Sequence, residues 1–226
     1  MKVLRSFIRV ALNEAAISAT SAMNKGLALF YEIDDGEEVF ILYDPREAYH
    51  NLSETAAIGH ESIYGSIRVS GMLDDNAPCW NAAEVKFAAA RKGYGPLIYD
   101  IAMSTLAKEG KRMMSDRNSV SQAAKNIWKV YGTRQDIEKL ELDDVKNPRT
   151  PQRCDDCDVY EDDGSEPLNY AYSIKTPVSM DSFVGNHHKF LDNLISDKYW
   201  SVSDIEDFLI LASDEFFRFS NVIKEF

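Results

Sequence analysis

The segment from Glu84 to Leu106 changes its hydrophobic period abruptly at two glycines, and this change constrains the fold more than any other feature of the chain. Before the glycines, apolar residues alternate as in a half-buried strand, at Val85, Phe87 and Ala89. After them, apolar residues recur at helical spacing, at Ile98, Ile101, Ala102 and Leu106. A strand that turns directly into a helix therefore lies near the middle of the sequence.

Patterns on either side of this junction predict the other elements. In chain order they are an amphipathic helix over 2–16, a hairpin around 34–36, strands over 62–69 and 112–114, a helix ending at Gly132, a strand over 168–174 and helices from Asp181 onward. Capping boxes at Ser119-x-x-Gln122 and Ser203-x-x-Glu206 predict two helix starts. This order predicts an α+β fold with a mixed, mostly antiparallel sheet flanked by helices. We expect one domain over 1–178 and a helical C-terminal extension over 179–226 that packs on it.

Composition indicates a globular protein, with 45% hydrophobic and 27% charged residues. The chain has no apolar run of the roughly 18 residues that a membrane span needs. Its basic start lacks the apolar core of a secretory signal, because Arg5 and Arg9 interrupt it. Three cysteines cannot all pair, which favours a reducing compartment. We therefore expect a cytoplasmic protein that does not bind membranes.

Acidic residues are concentrated in one segment. The formal net charge is −12, and the stretch between Asp136 and Glu166 holds twelve acidic residues against four basic ones. Such a stretch is either a solvated loop or a surface that faces a partner. An acidic chain repels phosphate backbones unless its cations segregate, so we expect no nucleic-acid binding.

The glycine turn between the strand and the helix predicts an anion site. Gly93 and Gly95 lack Cβ atoms, so main-chain amides can approach a ligand closely. The helix that follows adds unpaired N–H groups and the positive end of its dipole. Arg91 and Lys92 add two side-chain cations. No complete P-loop or G-x-G-x-x-G motif is present, so neither of those phosphate motifs explains the turn.

Ala90-Arg91-Lys92-Gly93-Tyr94-Gly95 resembles the coenzyme A pyrophosphate loop of the GNAT superfamily of N-acetyltransferases, [QR]-x-x-G-x-[GA], with Ala90 in place of Gln or Arg. The resemblance implies a GNAT-like fold, acetyl-CoA as acyl donor and an amine as acceptor. It also implies cofactor contacts, at Phe87, Ala88, Arg91, Lys92, Gly93, Tyr94 and Gly95.

A second family motif, N-x-x-A-x-x-x-Y-x-x-x-G, corresponds to the stretch that begins at Ser121. Ala124 and Gly132 fit, whereas Ser121 replaces Asn and Trp128 replaces the Tyr that protonates the departing thiolate. Tyr131 lies three residues further on and is our candidate for that acid.

The remaining chemistry of such an enzyme needs a base and an oxyanion donor. Glu84 is our base candidate, and His60 and Glu61 are weaker ones. A splayed or bulged strand would present an N–H near Phe87 or Ala88 to the oxyanion. The small residues of 88–90 leave room either for a pantetheine arm or for a closely packed helix. We expect Tyr99 to pack in the core rather than to act as an acid.

Other motifs in the sequence say less about function. Cys154-x-x-Cys157 suits incidental or structural thiols better than zinc or redox chemistry, and we expect no bound metal. His187 and His188 are expected on the surface. The aromatic stripe that includes Phe208 and Phe216 is either a cap over the sheet or a docking face for another subunit.

Two functions follow from these patterns. The first is an N-acyltransferase, whose acidic segment suits a basic acceptor such as a lysine-rich protein or a polyamine. The second is a catalytically inactive GNAT-fold protein with a binding or structural role. The amphipathic, basic N-terminus also resembles that of small GNAT-like proteins from tailed phages.

Overall fold

The computed structural model describes residues 17–34, 36–70, 79, 81–117, 120–152, 154–160, 166–196 and 200–222. The helix predicted over 2–16 lies outside these residues. The helices are α1 (Ala19–Asn24), α2 (Pro45–Thr55), α3 (Gly95–Lys108), α4 (Gln122–Tyr131), α5 (Asp181–Ser196) and α6 (Val202–Val222). The strands are β1 (Ala28–Asp34), β2 (Glu37–Tyr43), β3 (Ile63–Ser70), β4 (Ala82–Ala90), β5 (Arg112–Met114), β6 (Ile137–Glu141), β7 (Asp143–Asp144), β8 (Asp156–Cys157) and β9 (Tyr170–Ile174).

Seven strands form one mixed sheet in the order β1-β2-β3-β4-β5-β9-β6. Every neighbouring pair is antiparallel except β4 and β5, which are parallel because α3 connects them. Strands β7 and β8 form a separate parallel pair. The predicted fold class, an α+β protein with a mostly antiparallel mixed sheet flanked by helices, is confirmed.

The sheet separates two hydrophobic cores. Strand β2 contributes to both, because alternate side chains point to opposite faces: Phe40 and Leu42 pack towards α3, whereas Ile41 packs towards α2, α5 and α6. Helix α6 buries Ile205, Leu209, Ala212 and Phe216 in the second core. The aromatic stripe is therefore a cap over the sheet, one of its two predicted roles.

The capping residues of α4 and α6 differ from those predicted. The Oγ of Ser121 accepts a hydrogen bond from the N–H of Ala124 at 3.2 Å, so Ser121 is the N-cap of α4, whereas the predicted cap Ser119 lies outside the described residues. At the start of α6, Ser201 and Asp204 exchange hydrogen bonds between side chain and main chain. The predicted pattern at 203–206 is thus displaced by two residues, since the carboxylate of Asp204 completes an equivalent box.

The structure changes the interpretation of the cysteines. Cys157 forms a disulfide with Cys79, 78 residues away, and joins β8 to the turn before β4, whereas Cys154 is a free thiol. Across the described ranges, no group of three His, Cys, Asp or Glu side chains could hold a metal ion. No helix in those ranges is long and apolar enough to cross a bilayer.

His187 is buried, contrary to the surface position expected for it. Its Nδ1 lies 2.8 Å from the hydroxyl of Tyr43, and only 7% of the residue is exposed. Burial, with a smaller contribution from neighbouring His188, lowers the pKa of His187 to about 4 from an ordinary value of 6.5. The helix face that carries Phe190 and Leu194 places this imidazole against the sheet.

We predict that the free energy of unfolding falls as the pH decreases from about 6.5 to 4, because the unfolded chain then binds a proton that His187 does not. The loss attributable to this group is at most about 3 kcal/mol at the acid end. Urea titrations across this range measure it. His187→Gln should flatten the profile there, whereas His188→Gln should leave most of it. An equally steep profile for His187→Gln would contradict the assignment.

Candidate functional site

A cleft opens where β4 and β5 separate. The two strands pair only from Ala82 to Glu84, because β5 ends at Met114. Beyond that point, a cavity of about 470 Å³ lies between β4 and α4 and extends to Lys92 and Gly95. A second cavity, of about 260 Å³, lies nearer β5. Both cavities are lined by Ala88, Tyr99, Ser121 and Ala124.

Strand β4 contains a bulge beside this cleft. Phe87 lies opposite Arg68 and Val85 opposite Val69, so Lys86 is the extra residue. The Arg91 N–H donates to the Tyr64 carbonyl at 3.0 Å, and bonded pairs alternate along an antiparallel ladder. The N–H of Phe87 therefore points towards β3, and that of Ala88 towards the cleft. Of the two predicted oxyanion donors, the geometry favours Ala88.

Several main-chain N–H groups of the glycine turn make no hydrogen bond within the described chain. Gly93 has a φ of +87°, and the Tyr94 N–H donates to the Arg91 carbonyl at 2.9 Å. The N–H groups of Lys92, Gly93 and Gly95 have no hydrogen-bond partner in the described part of the chain. Because these donors lie at the N-terminus of the 14-residue helix α3, the turn has the features of an anion site.

The charges around the turn differ from those predicted. The Arg91 guanidinium donates to the carbonyls of Ile63, at 2.8 Å, and Glu61, and it stacks on the Tyr64 ring. The Arg91 side chain therefore stabilises the start of β3, and Arg91 also lines the first cavity. A second cation, Lys25, also contacts Tyr64: its Nζ is 2.9 Å from the Tyr64 hydroxyl and 4.1 Å from the ring centroid.

Lys25 was not predicted as part of the site, because it lies 68 residues before Gly93 in the sequence. Hydrogen bonding to Tyr64 raises the pKa of Lys25, so it remains charged. Tyr94, a predicted cofactor contact, is buried with its ring 5.0 Å from that of Tyr64. Its hydroxyl accepts a long hydrogen bond from Lys25, so only its main chain faces the turn.

The predicted base and acid do not line either cavity. Glu84 accepts hydrogen bonds from the Nζ of Lys86 and the N–H of Arg117, both at 2.7 Å, and so braces β4 against the segment after β5. The hydroxyl of Tyr131 donates to Asp100 at 2.8 Å and is also 3.1 Å from the Pro96 carbonyl. Burial raises the pKa of Tyr131 well above its ordinary value. Both residues thus have structural contacts outside the cleft.

Two other residues with ionisable side chains line the cavities instead of Glu84 and Tyr131. Tyr99 lines both cavities, and Asp116 lines the second one. Tyr99 lies one helical turn after Gly95, and Asp116 lies two residues beyond the end of β5. These two spacings are the sequence signals that could have placed both residues near the cleft. The acidic segment reaches the same region, since the Tyr160 hydroxyl donates to the Asp116 carbonyl at 2.7 Å.

No family model, curated protein or solved structure matches this chain. A function for the cleft is therefore inferred from its geometry alone. Amides without a partner in the described chain lie at one end, small side chains lie along β4, Tyr99 lines both cavities, and Asp116 lines the second one.

Proposed function

We propose that the protein is an acyl-CoA-dependent N-acyltransferase of the GNAT type, which transfers an acetyl group from acetyl-CoA to an amine. The observation that carries the proposal is the turn at Lys92, Gly93 and Gly95, whose N–H groups have no partner among the described residues and which lies, through Lys92 and Gly95, at one end of a cleft along a bulged strand. Main-chain donors at a helix N-terminus suit a diphosphate. Acetyl-CoA would supply an activated acyl group.

Residues along the cleft could contact such a donor from its diphosphate to its acyl group. The three amides and Lys92 would hold the diphosphate, and the small side chains of 88–90 leave room for an extended arm beside β4. The N–H of Ala88 would donate to the oxygen on which negative charge develops. Of the residues that would make these contacts, Ala88, Lys92 and Gly95 line the first cavity.

The second cavity suits a cationic acceptor. Aromatic rings of Phe87, Trp128 and Phe217 line it together with the carboxylate-bearing Asp116. The neighbouring acidic segment would attract a lysine-rich protein or a polyamine. An amine with an ordinary pKa near 10.4 must lose a proton before it attacks. Asp116 replaces Glu84 as our candidate for accepting that proton, directly or through water.

Calorimetry with acetyl-CoA tests the proposal, and we expect micromolar binding to the wild-type protein. Ala124→Trp places an indole where both cavities meet, so it should weaken binding by about 100-fold or more. Lys125→Trp adds the same side chain on the exposed side of α4 and should bind as the wild type does. Absence of wild-type binding at millimolar acetyl-CoA, or equal affinities for the two variants, would overturn the proposal.

A catalytically inactive binding or structural protein is the second candidate. It is favoured by the internal hydrogen bonds of Glu84 and Tyr131 and by Trp128 at the family's tyrosine position. Release of free thiol from acetyl-CoA in the presence of spermidine or polylysine distinguishes the two. Tight binding without any thiol release would favour the inactive protein.

A further inference from the structure

Tyr99 is a buried residue whose hydroxyl has no hydrogen-bond partner among the described residues. Only 3% of the residue is exposed, and its hydroxyl has no hydrogen bond to any residue that the structure describes. Other buried tyrosines differ: Tyr43 is bonded to His187, Tyr131 to Asp100 and Tyr172 to the Pro167 carbonyl. Polar groups of buried residues are usually hydrogen-bonded, so a hydroxyl left without a partner on a residue that lines two cavities is available to a ligand or to water.

The surroundings of Tyr99 fix its ring at the junction of the two cavities. Its ring meets that of Trp128 edge to face at 5.6 Å, and the ring of Tyr131 lies 6.1 Å away. Both cavities are lined by Tyr99, so it borders the space proposed for the acyl donor and the space proposed for the amine. Burial raises the pKa of Tyr99, which keeps the phenol protonated at neutral pH.

We propose that Tyr99 is the catalytic acid that protonates the thiolate leaving the acyl donor, a role that rests on the proposed function. The amine nitrogen forms a bond to the acyl carbon, the carbon–sulfur bond breaks, and its electron pair goes to sulfur. The phenolic proton of Tyr99 then moves to sulfur and gives a free thiol. The proton lost by the amine nitrogen goes first to Asp116 and then returns through water to the phenolate of Tyr99. The proposed acid, Tyr99, thus lies on α3, whereas the candidate predicted from the sequence, Tyr131, lies on α4.

The test compares CoA with desulfo-CoA, in which hydrogen replaces the thiol, by calorimetry on wild-type protein and on Tyr99→Phe. We expect the wild type to bind CoA roughly fivefold more tightly, because a phenol donates to sulfur only when sulfur is present. Tyr99→Phe should bind both compounds within about twofold of the wild-type affinity for desulfo-CoA. It removes a hydroxyl that makes no hydrogen bond within the described chain, so its thermal midpoint should not fall.

Tyr131→Phe is the matched control, since it removes the hydroxyl of a neighbouring buried tyrosine that is bonded within the protein. It should melt at a lower temperature and keep the wild-type preference for CoA. A preference that persists in Tyr99→Phe, or equal wild-type binding of both compounds, would overturn the role of Tyr99 and leave the proposed function standing. Wild-type protein that binds neither compound would overturn the proposed function itself.

Discussion

Gly93→Glu is expected to weaken the binding of acetyl-CoA by about 100-fold or more. Two physical effects add. The left-handed φ of +87° is strained for any residue with a Cβ, so the turn that orients the amides is distorted. The new carboxylate also places negative charge where we propose that a diphosphate binds. Calorimetry on the variant measures the loss directly.

Gly36→Glu is the control for backbone strain. Gly36 lies in the turn between β1 and β2, has a φ of +81°, and has open space where a Cβ would be. The same substitution there should cost similar stability and leave the affinity for acetyl-CoA unchanged. If Gly93→Glu bound acetyl-CoA as well as Gly36→Glu does, the glycine turn would not be the anion site.

Cys157→Ser is expected to lower the free energy of unfolding of the oxidised protein by about 2–4 kcal/mol. The disulfide to Cys79 closes a long loop, since 78 residues separate the two cysteines, and a long loop restricts the unfolded chain strongly. Urea titration of the purified protein gives the difference. A reducing agent should produce the same loss in the wild type.

Cys154→Ser removes the free thiol and leaves the disulfide intact, so it should change stability by less than about 0.5 kcal/mol. Equal stabilities of Cys157→Ser and Cys154→Ser under oxidising conditions would show that the disulfide does not form in solution. The sequence favoured a reducing compartment because three cysteines cannot all pair. The structure shows that two of them still can, between the turn before β4 and strand β8 rather than within Cys154-x-x-Cys157.

The strand, turn and helix over 84–106 were predictable because local patterns determine them, whereas helix α2 (Pro45–Thr55) and strand β6 (Ile137–Glu141) were not predicted. Alternation at Val85 and Phe87, the glycines, and the helical spacing after Pro96 together required a strand, a turn and a helix. The bulge at Lys86 was not located by these patterns, since it depends on how β4 pairs with β3. The N–H groups of Lys92, Gly93 and Gly95 have no partner among the described residues, and the anion that they would bind stays a prediction.

Side-chain roles were harder to predict, because each depends on contacts between distant segments. Glu84 was a reasonable base until Lys86 and Arg117 were seen to occupy its oxygens. Arg91 was expected to face a ligand, yet carbonyls of residues 28 and 30 positions earlier accept its hydrogen bonds. Tyr99 was expected to be core packing, and its burial is as expected; the missing partner of its hydroxyl emerges only in three dimensions.

The position of α6 in the chain has a consequence for synthesis. Phe216 borders the first cavity and Phe217 the second, yet the whole seven-stranded sheet precedes them in the sequence. As the chain leaves the ribosome, the sheet can assemble while the face formed by Phe30 and Ile41 still lacks this helix. That nascent intermediate exposes apolar surface and is the species most open to aggregation or chaperone capture. When α6 emerges, it covers this apolar face and completes the walls of the cleft.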